Sequence, residues 1–550
     1  MRPCPKRFSL GVAGSIIRVA ASFLLALSVV SSVFTVAAQP ANPQVATFEL
    51  PTPVRVLYSF TAATNYVPFF GYTNSEGASC AAALIQGNGG RLYGVAPSGG
   101  AFGSGTVFSL NTNGSDLTVL HTFSALSWRL GASNDDGCNP SGLILGIDGK
   151  LYGTASAGGA NGFGAIFKLD TDGNSFTNLH SFGAGDGENP HGGLVQGPEG
   201  TLYGTAQNGG TNGSGTVFRM GSDGSAFEAL YHFTALDNGT NSDGTQPYGG
   251  LVLASDGTLY GTARYGGPSG SVRAFGPSPI GSGTIFGLKT NGAGFGVVHA
   301  FDTFSGDILA PTNNDGASPS SALILGTDGE LYGTTPEAGG GGSGTIFSVE
   351  TDGSNYSTLH AFNYAPPPRV GTPGYGLYPY GGLVQAADGM LYGAAYGGGL
   401  VSNGGGLFGG FFAGTVYRLS RDGSGLALLH SFASLDPYSN TNADGAKPFA
   451  ALLRATDGRL YGVTSAGGAN ASGTVFSFVP PVVLQVTTSN HLVRLSWPIS
   501  ATNFILETSG TLSFSAVWSG ITNNISTVND TFRVTLPATS AAAFFRLHQM

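Results

Sequence analysis

Gly193-Leu194-Val195-Gln196, Leu202-Tyr203-Gly204-Thr205, Gly215-Thr216-Val217-Phe218 and Leu230-Tyr231-His232-Phe233 are four short apolar runs within residues 193–233. The breaks between them are Pro198-Glu199-Gly200, a glycine-rich segment at 208–213, and Ser222-Asp223-Gly224. Short β-branched and aromatic runs bounded in this way read as strands joined by hairpins. Tight hairpin turns need positive φ, which glycine adopts freely and Asn or Asp tolerates. The segment therefore predicts a four-stranded antiparallel meander.

The pattern returns along the chain. Leu-Tyr-Gly occurs at 92–94, 151–153, 202–204, 259–261, 331–333, 391–393 and 460–462, its leucines 59, 51, 57, 72, 60 and 69 residues apart. Spacings of this length suit propeller blades and exceed the coils of a β-helix. The expectation is an all-β fold, a seven-bladed β-propeller of four-stranded antiparallel blades over residues 50–478. Connections inside a unit are mostly short. The one from the Leu-His-Ser-Phe run to the next Gly-Leu-Val run is longer and more variable, so the blade break is placed there. Gly-Leu-Val is then the inner strand and Leu-His-Ser-Phe the outer one. Val56-Leu57-Tyr58-Ser59-Phe60 has no blade of its own, and the last unit lacks an outer strand. The N-terminal strand 56–60 is expected to close the last blade.

Outside the repeats the pattern changes. Residues 1–38 read as a signal peptide, with Arg2, Lys6, Arg7 and Arg18 before an apolar run and small residues before Gln39. Residues 39–49 read as a linker. Val479-Pro480-Pro481 ends the repeats, since paired prolines do not continue a ladder. Residues 482–550 alternate as strands and read as a small β-sandwich close to a fibronectin type III layout, with Trp497 and Trp518 in its core. No second long apolar segment follows the signal, so no transmembrane helix is expected in the mature chain. A formal charge of −9 with only 22 Lys and Arg argues against nucleic acid as a partner. Cys80 and Cys138 lie in the long connections entering the first two inner strands, and an exported chain can hold them as a disulfide. The alternative is two unpaired thiols.

The runs Gly193-Leu194-Val195, Glu199-Gly200-Thr201-Leu202-Tyr203-Gly204-Thr205 and Gly213-Ser214-Gly215-Thr216-Val217-Phe218 resemble the GloVer tandem repeat of exported bacterial proteins of the "choice-of-anchor" kind. The resemblance covers roughly residues 50–478. It implies secretion or display at the surface of a bacterium, which agrees with the cleavage near Ala38-Gln39 that the small residues Val36-Ala37-Ala38 suggest. It implies no reaction, because the family offers no established catalytic residues to carry over.

No phosphate loop, zinc motif or nucleophile elbow is present, and no cofactor is called for. His121, His180, His299, His360 and His430 share one repeat position with Tyr58 and Tyr231. Spread one per unit, they do not converge on a metal, and they read as rings packed between blades. Glu76, Asp136, Asp186, Asp243, Asp315 and Asp444 each precede a glycine in the long connections. A carboxylate ring suits Ca²⁺; local Asx-type turns are the favoured reading, since one acid per blade makes no coordination sphere. The asymmetric residues are aromatic or basic: Trp128, Arg129, His191, Tyr248, Arg273, Phe275, Tyr375, Tyr378, Tyr380 and Phe449. Among them His191, Tyr248, Tyr380 and Phe449 share one position just before the inner strand. Aromatic faces on loops suit stacking on sugar rings or anchoring a protein; the competing reading is that these rings pack the loops on one another. The leading function is non-enzymatic binding of an extracellular glycan or protein. The alternatives are an enzyme on extracellular polysaccharide, of lyase or glycosidase type, and purely structural display.

Overall fold

The computed structural model describes residues 54–481 except 64, 68–70, 128–131, 269, 272–279, 308–309, 365–373 and 400–412. It also describes residues 34–36, 45–49, 483–489, 492–498, 504–509, 517, 519–522, 525–528, 531–537 and 543–549. The described residues are all-β and fall into two compact units, Pro53–Phe478 and a second one made of Met1–Thr52 with Val479–Met550. No helix among the described residues is long and apolar enough to cross a membrane.

Among the described residues the first unit holds seven four-stranded antiparallel sheets in a propeller-like arrangement. The third is the simplest: Val195–Gln196, Leu202–Ala206, Thr216–Met220 and Glu228–His232, paired in that order. Its inner strand is only two residues long, shorter than the apolar run that announces it. The seventh sheet is completed from the other end of the unit, because Arg55–Ser59 pairs with Thr474–Phe478.

Alternation along Leu-Tyr-Gly builds the core between sheets. A strand sends successive side chains to opposite faces. Leu202 therefore packs with Tyr152, Ile166 and Phe182 of the preceding sheet, while Tyr203 packs with Leu251, Leu259 and Phe286 of the following one. The same exchange joins each sheet to its neighbour. It ends with Tyr461 and Val475 of the seventh sheet against Leu92 and Phe108 of the first, which closes the ring. Glycine at the third position is steric. Gly204 pairs with Phe218 on the next strand, and a Cβ there would lie 2.5 Å from the Phe218 ring. All seven copies place an aromatic ring over this glycine, Tyr417 replacing phenylalanine in the sixth.

In the second unit Val45–Glu49 pairs with Val483–Ser489, so residues 39–49 are not a plain linker. The physical reason is long range: the partner of Val45–Glu49 stands more than 430 residues along the chain, and a strand's pairing is not written in its own local sequence. Val483–Ser489, Leu492–Pro498 and Thr531–Pro537 form one sheet with that edge strand, and Ala543–Gln549 pairs with Phe504–Ser509 in another. Phe34–Val36, inside the expected signal segment, pairs with Ala543–Phe545; the rest of 1–38 lies outside the described residues. Trp497 is buried, and Trp518 lies outside the described residues.

Candidate functional site

The long connections between sheets carry two constructions. The outer one is a repeated latch. Asn134 uses its whole amide: Nδ2 donates to the Ser124 and Gly137 carbonyls at 2.9 and 2.7 Å, and Oδ1 accepts from the Gly137 and Gly159 amides, both at 2.9 Å. Asn74, Asn241, Asn313 and Asn442 repeat all four bonds. Beside each asparagine the acid turns back to the outer strand. Asp136 accepts from the Ser124 amide at 3.0 Å and lies 3.0 Å from His121 Nε2. Asp315 and Asp444 meet His299 and His430, while Tyr231 donates to Asp243 and Tyr58 to Glu76. Asp186 Oδ2 lies 3.3 Å from His180 Nε2. The rings also stack on the next sheet, His121 on Phe176 at 3.7 Å and Tyr231 on Phe295 at 3.6 Å. The histidines and acids that the sequence presents at separate positions are thus mostly one device, and its carboxylates are engaged locally. Among the described residues no three acids, histidines or cysteines gather in a metal-binding group.

The cysteines are not joined. Cys80 and Cys138 are both free and buried, which sets aside the disulfide reading in favour of its alternative, two unpaired thiols. Cys80 sits in the core between the seventh and first sheets, whereas Cys138 begins the inner strand of the second. Burial pushes both thiols up from their ordinary range.

The inner construction lies between the latch and the inner strand. At one shared position in every connection a residue other than glycine is left-handed: Ser79, Asn139, Asn189, Gln246, Ser318, Tyr378 and Lys447, with φ from 53° to 60°. Such a residue persists only where its surroundings fix it. Here each amide donates to a carbonyl near the start of the preceding sheet's third strand, as Gln246 does to Ser214 at 2.9 Å and Tyr378 to Ser343 at 3.0 Å. The residue after the second strand then bonds back, Arg264 N to Gln246 O at 3.1 Å and Tyr396 N to Tyr378 O at 3.1 Å. The backbone is symmetric and the side chains are not. The position two residues after the left-handed one holds Ala81, Ser141 and Ser320 in three units and His191, Tyr248, Tyr380 and Phe449 in the others.

The four rings form two pairs. His191 stacks on Tyr248 with centroids 4.6 Å apart, and Tyr380 on Phe449 at 5.0 Å. Tyr396 meets both Tyr380 and Phe449 edge-on, at 5.6 and 6.1 Å. Each pair has a cation beside it. The Arg264 guanidinium lies 5.6 Å from the Tyr248 ring centre and 5.0 Å from that of Tyr265, and Lys447 Nζ lies 5.7 Å from that of Tyr396. Burial, helped by the Arg264 charge, holds His191 down at about 4, so its imidazole is neutral at pH 7. Burial raises Tyr380, with the Glu337 charge adding to it. All these rings are half-buried.

Of the residues singled out in the sequence, His191, Tyr248, Tyr378, Tyr380 and Phe449 belong to this inner construction. Tyr375 does not: it occupies the latch position facing His360, with ring centres 6.0 Å apart. Trp128, Arg129, Arg273 and Phe275 lie outside the described residues. Arg264, Tyr265, Tyr396 and Lys447 are not among the residues singled out in the sequence. The signal for Arg264 and Tyr396 was available by aligning the residue five places after the leucine of each Leu-Tyr-Gly: Pro97, Ser156, Gln207, Arg264, Pro336, Tyr396 and Ser465 vary where the flanking repeat does not.

No curated protein matches the chain. Among solved structures, a polysaccharide lyase, an ulvan lyase bound to -[GlcA(1-4)Rha3S]-, aligns over 75% of this chain and 92% of its own at 10% identity and a TM-score of 0.44. The extracellular domain of a hybrid two-component system from B. thetaiotaomicron aligns over 87% and 54% at 10% identity and 0.40. A gluconolactonase from Xanthomonas campestris aligns over 58% and 84% at 16% identity and 0.30. At these identities nothing of their activities transfers. Residues 125–312 match the model of the Gloeobacter/Verrucomicrobia repeat, a stretch that holds the second, third and fourth copies of Leu-Tyr-Gly, and the chain carries the repeat of that family.

Proposed function

We propose that this chain is an exported binding module whose inner aromatic cluster holds an extracellular glycan, without catalysis. The observation that carries the reading is the broken symmetry at one repeat position. Four units carry half-buried rings where the others carry alanine or serine, and the rings gather as His191–Tyr248 and Tyr380–Phe449. Pure packing gives no reason for a small residue in three units and a large flat one in four. Aromatic faces flanked by hydroxyls and amides, such as Gln207 bonded to Gln246 at 3.2 Å, suit a sugar's apolar face and its rim of hydroxyls. A glycan array probed with the full chain tests this. Binding should appear for a defined glycan class and fall at least about tenfold in Tyr380→Ala, a loss of one good ring contact. Binding unchanged in both Tyr248→Ala and Tyr380→Ala sinks the reading.

A second reading, an enzyme acting on extracellular polysaccharide, draws support from His191. It is an imidazole kept neutral beside Arg264 and Tyr248. A neutral base next to a cation suits proton abstraction α to a carboxylate. Release of unsaturated sugars from a polyuronate, followed by ultraviolet absorbance and abolished in His191→Ala, separates the two readings.

A further inference from the structure

Arg264 is the least explained charge in the inner construction. It is half-buried, and its Nε is buried with no hydrogen-bond partner among the described residues. Its described side-chain contacts are ring faces, Tyr248 and Tyr265. A buried guanidinium N–H without an acceptor is costly, more so than a neutral donor, because the charge concentrates the desolvation penalty. Ring faces offset part of that cost through cation–π attraction, but they leave the planar fork of donors unfilled. The group that fills such a fork best is a carboxylate, accepting two parallel bonds.

The surroundings say what carries the carboxylate. Rings flank the arginine on its own unit and the one before it, Tyr248, Tyr265 and His191, and the Tyr380–Phe449 pair forms a second platform. Lys447 places a second positive charge by that platform, over Tyr396. Glu337, whose Oε2 accepts from Ser318 Oγ at 3.1 Å, supplies negative charge on the unit between them. An extended ligand with acidic groups at its ends and hydroxyls between fits this order of charge: plus, minus, plus around the rim.

We propose that the Arg264 cluster is a subsite for the carboxylate of a uronic acid within an acidic oligosaccharide, with the sugar ring against the neighbouring aromatic faces. The proposal rests on the glycan-binding reading above and adds to it the charge class of the ligand.

The test titrates the full chain by calorimetry with tetrasaccharides of glucuronate, galacturonate and mannuronate, and with the same tetrasaccharides reduced at the carboxyl group. At least one acidic ligand should bind about tenfold to a hundredfold more tightly than its reduced counterpart, the range of a charge-assisted bidentate contact. Arg264→Gln should remove that preference, so that the acidic and reduced sugars bind alike. Arg264→Lys should keep only part of it, since a point charge lacks the fork. Equal binding of acidic and reduced ligands by the natural chain overturns the uronate subsite and leaves glycan binding standing. Binding of neither ligand overturns both. Should Arg264→Gln melt early, the comparison within the natural chain decides alone.

Discussion

Replacing Gly204 by alanine tests why the third residue of Leu-Tyr-Gly is glycine. Its φ is not in the left-handed region, so backbone strain is not the issue. A Cβ there would lie 2.5 Å from Phe218 Cζ, 3.1 Å from Phe218 Cε1 and 3.0 Å from Leu194 Cδ2. Carbon atoms prefer roughly 3.5–4.0 Å, so the ring must retreat by about 1 Å. Phe218 is fully buried, with Phe182 5.3 Å and Phe227 5.4 Å away. It has no space to retreat into. Overpacking of this kind costs about 1–3 kcal/mol, and the stiffer unfolded chain returns about 0.4–1 kcal/mol. The net expectation is a loss of about 1–2 kcal/mol. Gly193 is the matched control: it lies in the same unit, its φ is ordinary, and nothing lies within 4 Å of its added Cβ. Gly193→Ala should gain about 0.4–1 kcal/mol, opening a gap of about 2 kcal/mol between the variants. At about 2.1 cal/mol/K per residue, the unit Pro53–Phe478 has a transition entropy near 0.9 kcal/mol/K. The gap is then about 2 °C by scanning calorimetry, provided the unit melts in one transition. Gly204→Ala should also be milder by about 1 kcal/mol in a Phe218→Leu background, where the clashing edge is gone. Equal melting of Gly204→Ala and Gly193→Ala, with no coupling to residue 218, would refute the steric account.

Three further outcomes follow from the connections. Asn134→Ala removes four hydrogen bonds and strands the Gly137 and Gly159 amides; a loss of about 2–4 kcal/mol is expected, read by urea denaturation and by faster amide exchange at both glycines. Acid should destabilise the fold in two stages. His180 and His360 are held below their ordinary 6.5 by burial, so their contribution is complete above that value and declines as pH falls through it. Asp136 is also held low: burial opposes this, and the bonds from His121 and Ser124 outweigh it, so its contribution is lost at lower pH still. A melting temperature that rises from pH 7 to pH 5 would contradict this, and His360→Gln should flatten the upper stage. With Cys4 replaced by serine and no reductant, the folded chain should show no thiol reactive with Ellman's reagent and the unfolded chain two, since Cys80 and Cys138 are free and buried. Zero in the unfolded chain would restore the disulfide.

The sheets were legible because hairpin chemistry is local. Asp172-Gly173 and Asp352-Gly353 announce turns with no knowledge of the fold, and the length of the connections places the break between units. The unpaired run at 56–60 pointed to the closing strand by simple deficit. The latch was less legible. His121 and Asp136 are visible as repeated letters, but a connection separates them and nothing local says that they meet. Val45–Glu49 was missed for the same reason: its partner, Val483–Ser489, lies beyond all seven sheets. Arg264 was missed because it directly follows a strong strand motif and reads as the end of the strand.

Repetition and function pull on different parts of the same connection. The latch recurs because each copy fixes its own sheet to the next, and its most reduced member shows what loss looks like: His360 has Tyr375 in place of an acid and keeps only ring contact. The left-handed residue also recurs in backbone, yet its side chain ranges from Ser79 to Tyr378 and Lys447. Once the latch and the amide-to-carbonyl bond fix the backbone, the residues on either side are released from structural duty. Those released positions are where Arg264, His191, Tyr248, Tyr380, Tyr396 and Phe449 depart from the repeat. A ligand site in such a ring is therefore sought at the positions the scaffold no longer needs, and the departures here converge on rings and cations, the groups on which the proposed uronate subsite rests.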